Sequence, residues 1–364
     1  MNGHSESRDV GSPPAPPANE PPLLAHLDRL MEELHTQAPK AINDWDEEGI
    51  HRARVATRRL SAALELVKPV VGKKRRKALA KVLRKLRRRL GPLRDADVMI
   101  GHLQELTASG EKYAKAIEWL TGTIRAARET SRQASARGGS AAQVLEDLGG
   151  WHPVREQIAG SADALPRLLV ESLHLQLDAF VEQAGRVTQS SAGARHHDPH
   201  ELRIAGKALR YTLEMAVAQG HKLPASVMKR FKRMQELLGA WHDFVVLTDT
   251  AVRASLEALL SHSDPALQER VLDLARLTLR RSSKYLAGFD TVWNAKGESL
   301  AGTIRAAFPL TSAPQAPEQQ PDPDDEQGPE PESITESQTD PGPSDSEAPE
   351  VPAASPPDGP SAAS

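Results

Sequence analysis

Residues 73–90 read KKRRKALAKVLRKLRRRL, and this stretch decides the fold class of the chain. Its apolar residues recur every three or four positions, which is the spacing of one face of an amphipathic helix. They are Leu79, Val82, Leu83, Leu86 and Leu90. About eleven or twelve segments of this kind follow one another, and none alternates apolar and polar residues as a half-buried strand does. The sequence therefore predicts an all-α fold.

Proline and glycine divide the helical region into segments. We expect helix ends at Lys68-Pro69, Gly91-Pro92, residues 137–139, residues 149–153, Asp198-Pro199, Leu223-Pro224 and Asp264-Pro265. Short connections between long helices are typical of up-and-down bundles.

The charge of the chain is distributed unevenly. The net charge is −3, but residues 311–364 hold 13 acidic side chains and no basic one. The other 310 residues carry all 46 Lys and Arg against 36 Asp and Glu, a net charge of +10. Residues 1–21 form a Pro-rich arm, and we predict that this arm and the acidic tail are disordered around a helical region at residues 22–310. An excess of cations in the helical region predicts a polyanionic partner.

Several functional classes are excluded by what the sequence lacks. It has no cysteine, so disulfides, thiolate catalysis and iron–sulfur clusters are ruled out. It has no apolar run of membrane-spanning length and no export signal, which predicts a cytoplasmic protein. Gly-rich phosphate loops, nucleophile elbows and His-Glu-x-x-His helices are also missing. Residues 195–200 contain three histidines, but the adjacent His196 and His197 cannot readily face one site from one helix. We therefore predict no enzyme, no metal and no cofactor.

An internal repeat is the most informative feature of the sequence. HRARVATRRL at residues 51–60 recurs as HELRIAGKALR at residues 200–210, an offset of 149. LGPLRD at residues 90–95 recurs as LGAWHD at residues 238–243, an offset of 148. Two matches in nearly one register predict two related helical bundles, at about residues 22–149 and 150–310, which face each other across a pseudo-twofold axis.

The repeated segments place cations on one helix face. At 100° per residue, four side chains of the second segment lie within about 80° of one another. They are His200, Arg203, Lys207 and Arg210. His51, Arg54 and Arg58 repeat the first three, and Arg59 flanks them. A solvated face is the alternative reading, but recurrence of a histidine with cations three and seven residues later favours a binding role.

A second basic feature is the segment at residues 66–94, which has 13 Lys and Arg and no acid. Acidic neighbouring helices or the acidic tail could be its partners. Single-stranded nucleic acid is normally bound by stacking aromatics, and the basic segments contain only Phe231. A phosphate polymer without bases needs only cationic donors. Duplex nucleic acid bound through its backbone remains the alternative, and a metal-dependent phosphohydrolase is less favoured.

Asp95 is the last residue of the LGPLRD segment, and Asp243 is the last residue of the LGAWHD segment. Both follow positions at which we expect a helix to begin. A carboxylate there caps backbone N–H groups or orients a neighbouring cation, and general-base catalysis is the less favoured alternative.

Four ordered motifs, at residues 51–60, 90–98, 200–211 and 237–243, resemble the CHAD family, the conserved histidine α-helical domain. The resemblance implies two pseudo-symmetric four-helix bundles with a basic central cavity that binds inorganic polyphosphate without catalysis. It also implies association with polyphosphate or polyhydroxyalkanoate granules and their surface proteins. The Glu-x-Glu-x-Lys signature of the CYTH triphosphatase partner is missing, so the chain is similar to stand-alone members.

Carried over by position, the resemblance assigns thirteen residues to polyphosphate binding. They are His51, Arg54, Arg58, Arg59, Arg84, Arg88, Arg94, His200, Arg203, Lys207, Arg210, Lys232 and His242. The halves differ, because Arg88 is matched by Glu236 and Arg94 by His242. We therefore expect the first half to dominate phosphate contact at neutral pH.

Overall fold

The computed structural model describes residues 21–189, 199–260 and 264–310, and this part of the chain forms ten α-helices and no strand. The helices are α1 (Pro22–Pro39), α2 (Glu47–Leu66), α3 (Lys73–Leu106), α4 (Ala114–Ala136), α5 (Ala141–Leu148), α6 (Trp151–Ala159), α7 (Leu165–Gln189), α8 (Pro199–Ala218), α9 (Ala225–Leu260) and α10 (Pro265–Ala307). The predicted all-α class is confirmed. Both tails and residues 195–198 of the histidine cluster lie outside the described residues. Within them, no helix is both long enough and apolar enough to cross a membrane.

Most predicted helix ends coincide with observed ones. Pro224 lies between α8 and α9, and residues 137–139 follow α4. At the start of α10, the Asp264 carboxylate accepts a hydrogen bond from the Ala266 amide at 2.9 Å. Pro265 is the first helical residue there, where its missing N–H costs nothing.

The helix end predicted at Gly91-Pro92 is wrong, because α3 continues through Pro92 to Leu106. A proline inside a helix deprives the carbonyl four residues earlier of its donor and normally kinks or ends the helix. Here side chains of other helices bond to the neighbouring carbonyls. Arg54 Nη1 donates to the Arg87 carbonyl at 2.8 Å, and Ser135 Oγ donates to the Arg89 carbonyl at 3.0 Å. These tertiary hydrogen bonds support the turn that the proline weakens.

Two hydrophobic cores lie along the long helices. The first is formed by α1, α2, α5 to α8, the first part of α3 and α9, and the end of α10. Phe180 is at its centre, edge-on to Phe231 and Trp293 at ring distances of 5.4 and 5.5 Å. The second core is formed by α4, the later parts of α3 and α9, and the start of α10, around the fully buried Phe244. Each core includes helices from both halves of the chain.

The order of the main helices recurs along the chain, since α1 to α4 are followed, after two short helices, by α7 to α10. Helix α2 packs against α3 and α8, and α3 also packs against α9. The repeated motifs lie on these four helices, α2, α3, α8 and α9. The boundary near residue 149 and the pseudo-twofold axis stay predictions.

The helices change core at the position of the repeated aspartates. On α3, Asp95 lies between Leu93 of the first core and Ala96 of the second. On α9, Asp243 immediately precedes Phe244 of the second core. The fold thus places both carboxylates and the cations around them at the junction of the two cores.

Candidate functional site

The first half of the chain contributes Arg54 to this junction. Arg54 is only 8% exposed. Its Nη1 bonds to the Arg87 carbonyl, and its Nη2 lies 3.7 Å from Asp95 Oδ1. Burial, aided by the positive charge of Arg58, lowers the pKa of Arg54 to about 10. The guanidinium is therefore charged at neutral pH, although it is largely desolvated.

Gly91 makes room for the Arg54 guanidinium. A Cβ at residue 91 would lie 3.0 Å from Arg54 Nη1. Any larger residue on this turn of α3 would thus displace the arginine. In the first half, one helix thus supplies the cation and the other supplies the space for it. The repeated glycine, Gly239, has nothing within 4 Å of the position that its Cβ would occupy, so this requirement belongs to the first half.

The second half contributes Arg203 and Lys207 from α8 and His242 from α9. Burial is the main cause of a lowered pKa in all three. The pKa of Lys207 falls to about 6, helped by the positive charges of Arg203 and Arg58. The pKa of His242 falls to about 4, helped by Arg203. At neutral pH, Lys207 and His242 are therefore mostly neutral.

Arg58 connects the two halves electrostatically. This half-buried residue of α2 lies close enough for its charge to lower the pKa of Arg54 on its own helix and of Arg203 and Lys207 on α8. The structure therefore brings together cations that are about 150 residues apart in sequence. We call the following residues the central cluster: Arg54, Arg58, Asp95, Arg203, Lys207, His242 and Asp243.

The two carboxylates of the central cluster titrate in opposite directions. Burial raises the pKa of Asp95 in spite of Arg54 and Arg58. Burial would also raise the pKa of Asp243, but His102 and Arg203 beside it lower that pKa. His102 Nε2 lies 3.8 Å from Asp243 Oδ2, and this carboxylate raises the pKa of His102. Both aspartates lie inside helices, so the capping role considered from the sequence is wrong, and they orient cations instead.

Arg203 has an unused donor. Its Nε atom is buried and has no hydrogen-bond partner among the described residues. A buried donor without a partner costs about 1–3 kcal/mol. Because this atom is closed to solvent, an anionic oxygen from a ligand would reach it only after the Arg203 side chain moved.

Two of the predicted site residues are engaged elsewhere. Arg59 Nε donates to Glu214 Oε2 at 2.7 Å, and Arg210 Nε donates to Glu214 Oε1 at 2.9 Å. The bond from Arg59 connects α2 to α8, and the bond from Arg210 lies within α8. Sequence reasoning missed Glu214, although its spacing of four residues from Arg210 is a signal for an ion pair on one helix.

The remaining predicted residues surround the central cluster or lie on the surface. His51 is near Arg94, and burial followed by the Arg94 charge lowers its pKa. Arg94 Nη1 lies 3.2 Å from Glu47 Oε1. The His200 ring lies 5.4 Å from that of His242. The exposed side chains are Arg84, Arg88 and Lys232.

Comparison with known proteins identifies similar sequences and folds. The model of the CHAD domain matches residues 25–252. The crystal structure of the CHAD domain from the plant Ricinus communis is similar with a TM-score of 0.50 and 21% identity, over 81% of this chain and 92% of that one. PptA from Streptomyces chartreusis is similar with a TM-score of 0.52 and 16% identity, over 74% and 99% of the two chains. None of the curated proteins matches this chain. At these identities the solved structures show a shared fold.

Proposed function

Because the chain belongs to the CHAD domain family, we propose that its central cluster binds inorganic polyphosphate. The observation that carries this proposal is the meeting of Arg54 and Arg58 with Arg203 and Lys207 around only two carboxylates. Like charges repel, and burial increases the cost of each charge. The binding of an anion among these cations is therefore favourable, because it offsets their repulsion.

The chemistry of the donors fits a chain of phosphates. Arginine forks form charge-assisted hydrogen bonds with phosphate oxygens, and lysine adds a point charge. Because Arg58, Arg203 and Lys207 are only partly buried, a flexible polymer can reach them from solvent. We propose binding without catalysis, in the cytoplasm, with association to polyphosphate or polyhydroxyalkanoate granules as the family resemblance implies.

Titration calorimetry with long-chain polyphosphate tests the proposal. The parent protein should bind with an affinity that falls steeply with salt, because phosphate contacts release counterions. The double variant Arg54→Ala, Arg203→Ala should bind at least about a hundredfold more weakly, since each charged hydrogen bond contributes about 1.5–3 kcal/mol. No binding by the parent at low salt would refute the proposed function.

A matched control separates the central cluster from net charge. Arg253 and Arg276 are exposed and pair with acids on their own helices. The variant Arg253→Ala, Arg276→Ala also loses two positive charges. It should bind within about twofold of the parent, as expected for exposed pairs. Equal weakening in both double variants would show that binding depends on total charge and would contradict a specific site.

The exposed cations of α3 favour duplex nucleic acid as a second candidate. A competition experiment at equal phosphate concentration distinguishes the two ligands. If the site is specific for polyphosphate, duplex DNA should displace little of the bound polyphosphate. Incubation with divalent metal tests catalysis: we expect no orthophosphate over several hours, and steady release would make the protein a phosphohydrolase.

A further inference from the structure

The first half of α3 presents five cations on one face. They are Lys73, Lys77, Lys81, Arg84 and Arg88, and all five are exposed. At 100° per residue they lie within about 80° of one another, and the same face continues through Gly91 and Asp95. With a rise of 1.5 Å per residue, this surface, which we call the α3 track, is about 22 Å long and ends about 10 Å from Asp95. It therefore leads directly into the central cluster.

No carboxylate of the described residues pairs with the α3 track. In this part of the chain, no carboxylate oxygen lies within 4 Å of the charged nitrogens of its five side chains. Elsewhere on α3, Arg76 pairs with Glu65 and Arg94 pairs with Glu47. Both of these arginines lie on an adjacent face of the helix. Repulsion along the α3 track is thus not offset by a carboxylate of the described residues, and like charges at these spacings destabilise an isolated helix.

The corresponding surface on α9 is neutralised. In the register of the repeat, Lys81 and Arg84 become Lys229 and Lys232, but Arg88 becomes Glu236. Glu236 lies 3.9 Å from Lys232 Nζ and 3.9 Å from Arg233 Nη1. The two halves contribute similar residues to the central cluster, but they differ in the charge of the helix surface next to it.

A carboxylate also neutralises the cations that follow the central cluster on α2 and α8. These are Arg59 and Arg210, and both donate hydrogen bonds to Glu214. A polyanion that extended towards these arginines would have to compete with a carboxylate that is already hydrogen-bonded to them. Glu214 therefore makes the binding of a further anion at Arg59 and Arg210 less favourable.

We propose that a polyphosphate chain bound at the central cluster extends in one direction, along the α3 track over Arg88, Arg84 and Lys81 towards Lys73. This inference rests on the proposed function and adds the path of the ligand and the side on which it leaves the central cluster. The α3 track contains no aromatic residue on which a base could stack, so its chemistry suits a polymer of phosphates alone.

Chain length provides the test. The track variant Lys73→Gln, Lys77→Gln, Lys81→Gln loses three exposed charges. The control Lys222→Gln, Lys229→Gln, Arg233→Gln loses three exposed charges on α9 or just before it. Their affinities for long-chain polyphosphate and for tripolyphosphate are measured by calorimetry at several salt concentrations. Circular dichroism checks that both variants keep the helix content of the parent.

We expect the track variant to bind long chains about tenfold more weakly, since exposed charge contacts each contribute a factor of about two. Its salt dependence should become shallower, because fewer counterions are released. Its affinity for tripolyphosphate, which fills only the central cluster, should be unchanged. The control should differ from the parent by less than twofold with either ligand.

Three results would overturn the inference: unchanged binding of long chains by the track variant, equal weakening in the control, or equal weakening for tripolyphosphate. Loss of duplex DNA binding with full retention of long-chain polyphosphate would also overturn it, since the α3 track would then be a nucleic-acid surface. Failure of the inference leaves the proposed function intact if the parent still binds tripolyphosphate. Failure of the parent to bind either polymer would refute the proposed function itself.

Discussion

Lys207 should make polyphosphate binding depend on pH. Its pKa is about 6, because burial and the charges of Arg203 and Arg58 disfavour the ammonium form, and Asp243 only partly opposes them. A phosphate placed beside this amine stabilises the ammonium form and raises its pKa. Binding must therefore take up a proton at any pH above about 6.

The size of the effect follows from this pKa. In the unliganded protein about half of the molecules carry a protonated Lys207 at pH 6, but only about one in a hundred do so at pH 8. If the bound form keeps the proton throughout, affinity falls about 50-fold between pH 6 and pH 8, and levels off below pH 6. The variant Lys207→Arg keeps its charge and should lose this dependence. It also serves as the control for ionisation of the polymer and of the histidines, which is common to both proteins.

Calorimetry at pH 7.5 in buffers of different ionisation enthalpy measures the proton directly. We expect the parent to take up about one more proton per binding event than Lys207→Arg does. If the two proteins lose affinity in parallel between pH 6 and pH 8, or take up equal numbers of protons, Lys207 is not the group responsible.

The same amine affects the stability of the unliganded protein. The unfolded chain, with a lysine pKa of 10.5, binds more protons than the folded one between about pH 6 and 10.5. Stability should therefore rise with pH across this window, by at most about 1.4 kcal/mol per pH unit from this group. The variant Lys207→Met should remove that slope in urea denaturation measured from pH 6.5 to pH 9.

Two further substitutions test how the cations are held. Gly91→Ala places a Cβ 3.0 Å from Arg54 Nη1, so it should weaken polyphosphate binding about tenfold through loss of one charged hydrogen bond, whereas Gly101→Ala, with nothing within 4 Å of its new Cβ, should bind as the parent does; equal affinities in the two variants would contradict the packing argument. Glu214→Gln leaves both bridged arginines without their carboxylate and should lower the free energy of unfolding by about 2–3 kcal/mol in urea titrations, and an unchanged midpoint would show that the bridge contributes nothing to stability.

The helices and most of their ends could be predicted because their causes are local. Periodic leucines make a helix amphipathic wherever the chain goes, and Asp264-Pro265 begins a helix through groups within three residues. Pro92 shows the limit of such reasoning. Whether a proline ends a helix depends on what reaches the neighbouring carbonyls, and the donors here, Arg54 and Ser135, come from other helices.

The candidate site divides in the same way. The repeated spacing of His51, Arg54 and Arg58 is enough to place cations on one helix face and to indicate a binding role. It cannot show that Arg59 is held by Glu214, which lies 155 residues away. Nor can it show that Asp95 and Asp243 lie inside helices at the junction of two cores, where they orient cations and cap nothing.

Sequence by itself thus determined the helical class, the two recurring cationic faces and the surplus of positive charge outside the acidic tail, since each depends on residue type and spacing along one helix. Only the tertiary structure decided which cations meet, which are neutralised and which lose their water. Those outcomes depend on distances between helices that are about 150 residues apart in the chain, and electrostatic energies change steeply with both distance and burial. The low pKa of Lys207 and the lack of an ion pair between the α3 track and the other described residues are therefore properties of the fold.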